Sequence, residues 1–269
     1  MPVRFELPAA HPHVAVVVLD RPDRANSLDP AMLSDLASAW RRIAEDDGIR
    51  VAVVTGAGER VFCAGMDMTT TIPASQRFAR GERVTDEEFA GLRSVRTALL
   101  AGFDLRTPLI AAVNGHARAG GFDLMLAAEL RVAVPSATFA LEEVALGLYP
   151  TGNATVLLPR QIGWVHAHEL LLTAQPIDAS RACEIGLVNR IVEPDRLMPT
   201  ALDWADAIAA NAPLAVRETR RGVREILALP LDLAYERQEE IGRELRTTDD
   251  AREAQRAFVE KRKPQWRGR

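Results

Sequence analysis

Val113-Asn-Gly-His-Ala-Arg-Ala-Gly-Gly-Phe-Asp-Leu124 runs from the end of an apolar strand, through a cluster of small residues, into the start of a helix. The strand is Leu109-Ile-Ala-Ala-Val113, whose uninterrupted apolar run marks burial on both faces. Gly120 and Gly121 then open a helix that carries Leu124-Met-Leu-Ala-Ala. A helix start leaves main-chain N–H groups without intrahelical acceptors. An oxyanion held there is stabilised, and one such donor is typically worth about 2.7–4 kcal/mol in a transition state. Close helix packing explains the same glycines equally well.

The pattern of strand, glycine turn and helix recurs on both sides of this stretch. Val14-Ala-Val-Val-Val-Leu19 is a buried strand closed by Asp20-Arg-Pro-Asp. Ser27-Leu-Asp-Pro30 offers a cap and an early proline to a helix with Met32, Leu33, Leu36, Trp40 and Ile43 at helical spacing, stopped by Gly48. Val51-Ala-Val-Val-Thr55 runs into Gly56 and Gly58, and Arg131 to Val134 and Thr138 to Leu141 are further short strands. These are βαβ-like units of an α/β fold. From Asp195 the sequence becomes helical and charged, which divides the chain into a core, residues 1–194, and a C-terminal helical module, residues 195–269. The charged helical stretch Phe78 to Leu100 is read as a mobile cover that walls the substrate pocket.

With 269 residues, 48% of them hydrophobic and 26% charged, the chain has the composition of a soluble globular protein with one large core. A net charge of −4 without a basic stripe argues against nucleic acid as a partner. The only lysines, Lys261 and Lys263, stand in a short basic tail. Cys63 and Cys183 are too few to staple the chain and are expected as free thiols of a reducing compartment. With no signal-like start and no apolar run of membrane length, a cytoplasmic location is expected.

Two further segments carry polar groups at suggestive places. Thr55-Gly-Ala-Gly-Glu-Arg-Val-Phe-Cys-Ala-Gly-Met-Asp-Met68 is a glycine-punctuated loop after a strand. It lacks the Gly-Lys-Ser/Thr of a phosphate loop and the spacing of a dinucleotide fingerprint. In Ala137-Thr-Phe-Ala-Leu-Glu-Glu-Val-Ala-Leu-Gly-Leu-Tyr-Pro150, two carboxylates interrupt an apolar run. A carboxylate in apolar surroundings has a raised pKa and exchanges protons nearer neutral pH. On a strand, Glu142 and Glu143 would point to opposite faces, leaving one of them for a site.

These three segments, with Arg21-Pro-Asp-Arg-Ala-Asn-Ser-Leu28 before them and Phe258-Val-Glu-Lys-Arg262 near the end, resemble the enoyl-CoA hydratase/isomerase (crotonase) family over essentially the full chain. The resemblance implies a crotonase-like (ClpP/crotonase) spiral of repeated ββα units that assembles as a homotrimer or homohexamer. It puts two oxyanion donors on the main-chain N–H groups of Met66 and Gly120. Glu143 matches the family's second catalytic glutamate, and Asp123 stands where hydratases carry the first. The CoA site is implied to include Arg24, Ala64, Met66, Asp67, Met68, Thr69 and Gly120, with Lys261 reaching the ligand of a neighbouring subunit.

The activity so implied is addition of water to a 2-enoyl-CoA thioester, Asp123 activating the water and Glu143 protonating C2, with no metal and no cofactor beyond the CoA of the substrate. One departure, Asp123 for glutamate, leaves enoyl-CoA or dienoyl-CoA isomerisation as an alternative. Two others, Glu142 in place of the usual proline and Thr151-Gly-Asn153 in place of a glycine run, support a third possibility, a CoA-thioester binding protein without turnover.

Overall fold

A computed structural model describes residues 2–269. Six strands form the main sheet: β1 (Val3–Glu6), β2 (Val14–Leu19), β3 (Val51–Gly56), β5 (Leu109–Val113), β7 (Leu130–Ala133) and β10 (Arg190–Ile191), in that spatial order. All neighbours run parallel except the antiparallel pair of β1 and β2. Four short strands form a second sheet: β4 (Val61–Cys63), β6 (His116–Arg118), β8 (Thr138–Ala140) and β9 (Ile177–Asp178). Three successive turns, β3–β4, β5–β6 and β7–β8, each give one strand to the first sheet and one short strand to the second before a helix follows. This is the ββα spiral expected from the sequence.

The apolar runs become strands because both of their faces are covered: every residue of β2, β3 and β5 is buried. On one side lies α1 (Pro30–Glu45), with Asp29 as its N-cap accepting from Met32 N at 2.8 Å and Pro30 in the first turn. Its apolar stripe of Met32, Leu33, Leu36, Trp40 and Ile43 is fully buried.

After β4 come α2 (Thr71–Ala79) and α3 (Asp86–Ala98), the latter opened by a capping box between Thr85 and Glu88. Within the stretch Phe78 to Leu100, α3 is docked on the core and does not form a loose cover. Helix α3 is seated on α1 so closely that a Cβ on Gly91 would lie 2.5 Å from Pro30 Cα, and Trp40 Nε1 donates to Ala98 O at 2.9 Å. Charged residues on its outer side had masked the small residues of its inner side.

Past β6 the chain enters α4 (Gly120–Leu126), whose residues are all buried. After β8 come α5 (Ala154–Gln161), α6 (Trp164–Thr173) and α7 (Ala179–Glu184). Helix α8 (Pro194–Ala209) packs on β2, β3, β5 and β7, so the first helix after residue 194 is a layer of the core. The helices that leave the sheet are α9 (Pro213–Ile226), α10 (Leu231–Arg246) and α11 (Asp249–Val259). No helix among the described residues is long and apolar enough to cross a membrane. Both cysteines are free thiols, and burial pushes that of Cys63 up to about 12.

Candidate active site

The loop after β4 and the loop after β6 meet at their glycines. Leu28 forms a parallel bridge with Met66, accepting from Asp67 N at 3.1 Å and donating to Gly65 O at 2.8 Å. In such a bridge the middle residue's own N–H and C=O point away from the partner. Met66 N–H therefore faces the other side, where it has no acceptor among the described residues. Gly65, at φ +88, brings that turn onto the neighbouring loop: a Cβ there would sit 2.9 Å from Ala119 Cβ and 3.1 Å from Gly120 N.

Gly120 is the first residue of α4, and its N–H likewise lacks an acceptor among the described residues. The turn that presents it is strained. Ala119 holds φ 44 and ψ −120, a conformation costing a residue with a Cβ on the order of 1–3 kcal/mol. It is held there by Ala119 N donating to Ala140 O at 3.0 Å and Asp123 N donating to Ala119 O at 2.9 Å. The two explanations of the glycine pair are divided between them. A Cβ on Gly121 would collide with Cys63 O at 2.3 Å, whereas one on Gly120 would meet nothing nearer than 3.5 Å. Gly121 is fixed by close packing, whereas a Cβ at Gly120 would meet Leu28, Met66 and Gly65 only at ordinary van der Waals distance.

The two acidic candidates lie close enough for the charge of Glu143 to act on Asp123. Asp123, one turn into α4, is buried, and its Oδ1 accepts from Asn153 N at 2.6 Å and Ala154 N at 2.7 Å. Burial first, then the charge of Glu143, pushes its carboxyl up to about 7, against the pull of those two N–H donors. Glu143 opens a 3-10 turn, Glu143–Leu146, and its Oε2 is buried with no hydrogen-bond partner among the described residues. Burial, with the neighbouring Glu142, raises its pKa as well.

The two glutamates are not separated by strand alternation, because β8 ends at Ala140. Glu142 turns instead to Arg118, 3.3 Å away at the end of β6. Arg118 also donates to Thr138 Oγ1 at 2.8 Å, and Thr138 Oγ1 is 2.8 Å from His116 Nδ1. This polar chain ties the strand before the oxyanion turn to the strand before Glu143. It escaped sequence reading.

The residues expected at the CoA fall in two groups. Ala64, Met66, Met68 and Thr69 line a loop whose outer part is exposed, and the half-exposed Arg24 guanidinium donates to Thr69 Oγ1 at 2.9 Å. Asp67 is different, because its carboxylate is buried and occupied by Ser27 Oγ at 3.1 Å, Thr69 Oγ1 and N at 2.6 and 2.9 Å, and Arg21 at 3.4 Å. Burial opposes its charge, yet these donors prevail and hold it well below the usual carboxylate range. Asp67 braces the loop from inside. Lys261 lies in the exposed turn after α11, which packs on α10, and no contact linking Met66, Gly120, Asp123 and Glu143 involves it.

Paired strands in two sheets, repeated turn by turn, with open N–H groups where the loops meet, make up the architecture of a crotonase-fold protein. The chain belongs to the enoyl-CoA hydratase/isomerase family, whose model matches residues 10–269. It is 40% identical to the enoyl-CoA hydratase EchA19 of Mycobacterium tuberculosis over 257 residues, covering 96% of this chain and 94% of that one. It is 38% identical to the (E)-benzylidenesuccinyl-CoA hydratase of Thauera aromatica over 268 residues, covering all of both. Among solved structures, the enoyl-CoA hydratase of Bacillus anthracis superposes with a TM-score of 0.89 at 33% identity, covering both chains completely.

Proposed function

We propose that this protein is an enoyl-CoA hydratase, adding water across the double bond of a 2-enoyl-CoA thioester. The observation that carries the proposal is the buried, unpartnered Oε2 of Glu143, whose charge acts on the buried Asp123 carboxyl of the helix that the unpaired Gly120 N–H opens. The thioester carbonyl sits between Met66 N–H and Gly120 N–H. Asp123, ionised, takes a proton from water as the water oxygen bonds to C3. Electrons of the C2–C3 double bond move toward the carbonyl oxygen, where the two N–H groups hold the charge as it develops. Glu143, protonated, then delivers its proton to C2. Mutual repulsion between the two carboxyls favours this singly protonated pair.

Water and enoyl thioester balance the hydroxyacyl product without electron transfer, so the reaction as proposed needs no cofactor beyond the CoA of its substrate. Arg24 and the outer loop, Ala64 to Thr69, hold the CoA portion. The exposed apolar side chains of the C-terminal helices, Leu227 and Leu231 among them, support assembly as a homotrimer or homohexamer. In that assembly Lys261 reaches a neighbour's ligand. We assign the protein to the cytoplasm from its two free thiols.

The test is incubation of purified protein with crotonyl-CoA and with longer 2-enoyl-, 3-enoyl- and dienoyl-CoA thioesters, following water addition and double-bond migration separately. Hydration without migration is expected. Migration alone would replace hydration by isomerisation, and binding without either reaction would leave a thioester-binding protein.

A further inference from the structure

Asp123 is held by more than its position on α4. Asn153, itself buried, donates its main-chain N–H to Oδ1, and its side-chain Nδ2 donates to the Asp123 carbonyl at 2.9 Å and to Leu99 O at 2.7 Å. One residue therefore grips the aspartate at both its carboxylate and its backbone, and ties both to the chain leaving α3. The N–H of Ala154, the first residue of α5, completes the grip on Oδ1. The far side is closed by Gly152. A Cβ there would lie 2.1 Å from Asp123 Oδ2, 2.3 Å from Cγ and 2.7 Å from Oδ1. The carboxylate occupies the volume that any side chain at 152 would need.

We infer that Gly152 and Asn153 are positioning residues that form a fitted seat for Asp123: the Asn153 and Ala154 N–H groups tie down Oδ1, and Gly152, having no side chain, leaves the room that Oδ2 occupies. The reach of this carboxylate is then set by where α5 begins and not by side-chain length. A glutamate at 123 would be driven one methylene further, against Gly152. The catalytic consequence rests on the hydratase reading, whereas the seat itself does not.

Two measurements test the inference separately. The first is a thermal-unfolding cycle of Gly152→Ala in the natural protein and in Asp123→Ala. Gly152→Ala is expected to lower Tm by several degrees when Asp123 is present and by less than half as much when its carboxylate has been removed. An equal loss in both backgrounds overturns the seat, whatever reaction the protein catalyses.

The second is steady-state hydration of crotonyl-CoA. Gly152→Ala and Asp123→Glu are each expected to lower kcat by about 100-fold, the typical cost of a misplacement of about 1 Å. Asn153→Ala is expected to lower it by about 10-fold, and KM should stay within about twofold in all three. A kcat within twofold of the natural protein in Gly152→Ala, or a loss confined to KM, refutes the positioning role. If the natural protein hydrates nothing, the hydratase reading fails and the unfolding cycle alone decides the seat.

Discussion

At the scale of single residues, the chemistry turns on how two carboxyls are kept out of water. Glu143→Gln keeps the shape of the side chain and removes the transferable proton. We expect it to lower kcat by roughly 100-fold or more while KM changes little, as measured by hydration of crotonyl-CoA. Asp123 carries a pH signature in stability. Its carboxyl is raised in the folded state to about 7 from an ordinary value of 3.8. A raised folded pKa means that folding favours the protonated form, so its stabilisation is full below the unfolded pKa. That stabilisation fades as pH rises from about 4 through 7, by up to roughly 1.4 kcal/mol per unit. Asp123→Asn keeps an acceptor for Asn153 N and Ala154 N but cannot ionise. Chemical denaturation across that window should show a flatter decline for the variant, and parallel curves would contradict the assigned environment. The family resemblance pointed to Asp123 and Glu143. It could not reveal Asn153, Gly152 or the link from Arg118 to Glu142, because these partners lie 24 to 54 residues apart and meet only in the fold.

At the scale of elements, apolar runs and helix caps were read with little error because they obey local rules. Val14–Leu19, Leu109–Val113 and the Asp29 cap of α1 all stand where the pattern puts them. Helix α3 shows where such rules stop. Its charged outer side suggested a loose cover, yet the helix is bound to α1 through Gly91 and through the bond from Trp40 to Ala98. We expect Gly91→Ala to destabilise the protein by about 1–3 kcal/mol, since the new Cβ would press on the Pro30 backbone and one of the two helices must move. Denaturant unfolding measures the loss, and a change below about 0.5 kcal/mol would restore the picture of a loose cover. Local reading fixed the strand Thr138 to Leu141 to within a residue but left the conformation of Glu142 and Glu143 open, and there a 3-10 turn follows β8.

At the scale of the whole molecule, exposed apolar groups gather on the helices that leave the sheet: Leu227 is 73% and Leu231 72% exposed. If the protein assembles as proposed, replacing both by aspartate should shift it toward monomers in light scattering, leaving the far-ultraviolet dichroism unchanged. If assembly brings Lys261 to a neighbour's CoA, Lys261→Ala should raise KM severalfold in the assembled form and leave kcat near its natural value; an unchanged KM would return the lysine to a solvated tail. By itself, the sequence determined the alternation of buried strands and capped helices, which follows from side-chain hydrophobicity and backbone conformation within a few neighbouring positions; the family, and with it Met66 and Gly120 as candidate donors, came from the resemblance its motifs carry. Only the tertiary structure decided which of the two glycines is fixed by close packing, that Asp67 is spent inside its own loop, and that Asp123 rests against the start of α5. Such outcomes depend on distances between segments remote along the chain, set by how α4, α5 and the two sheets pack.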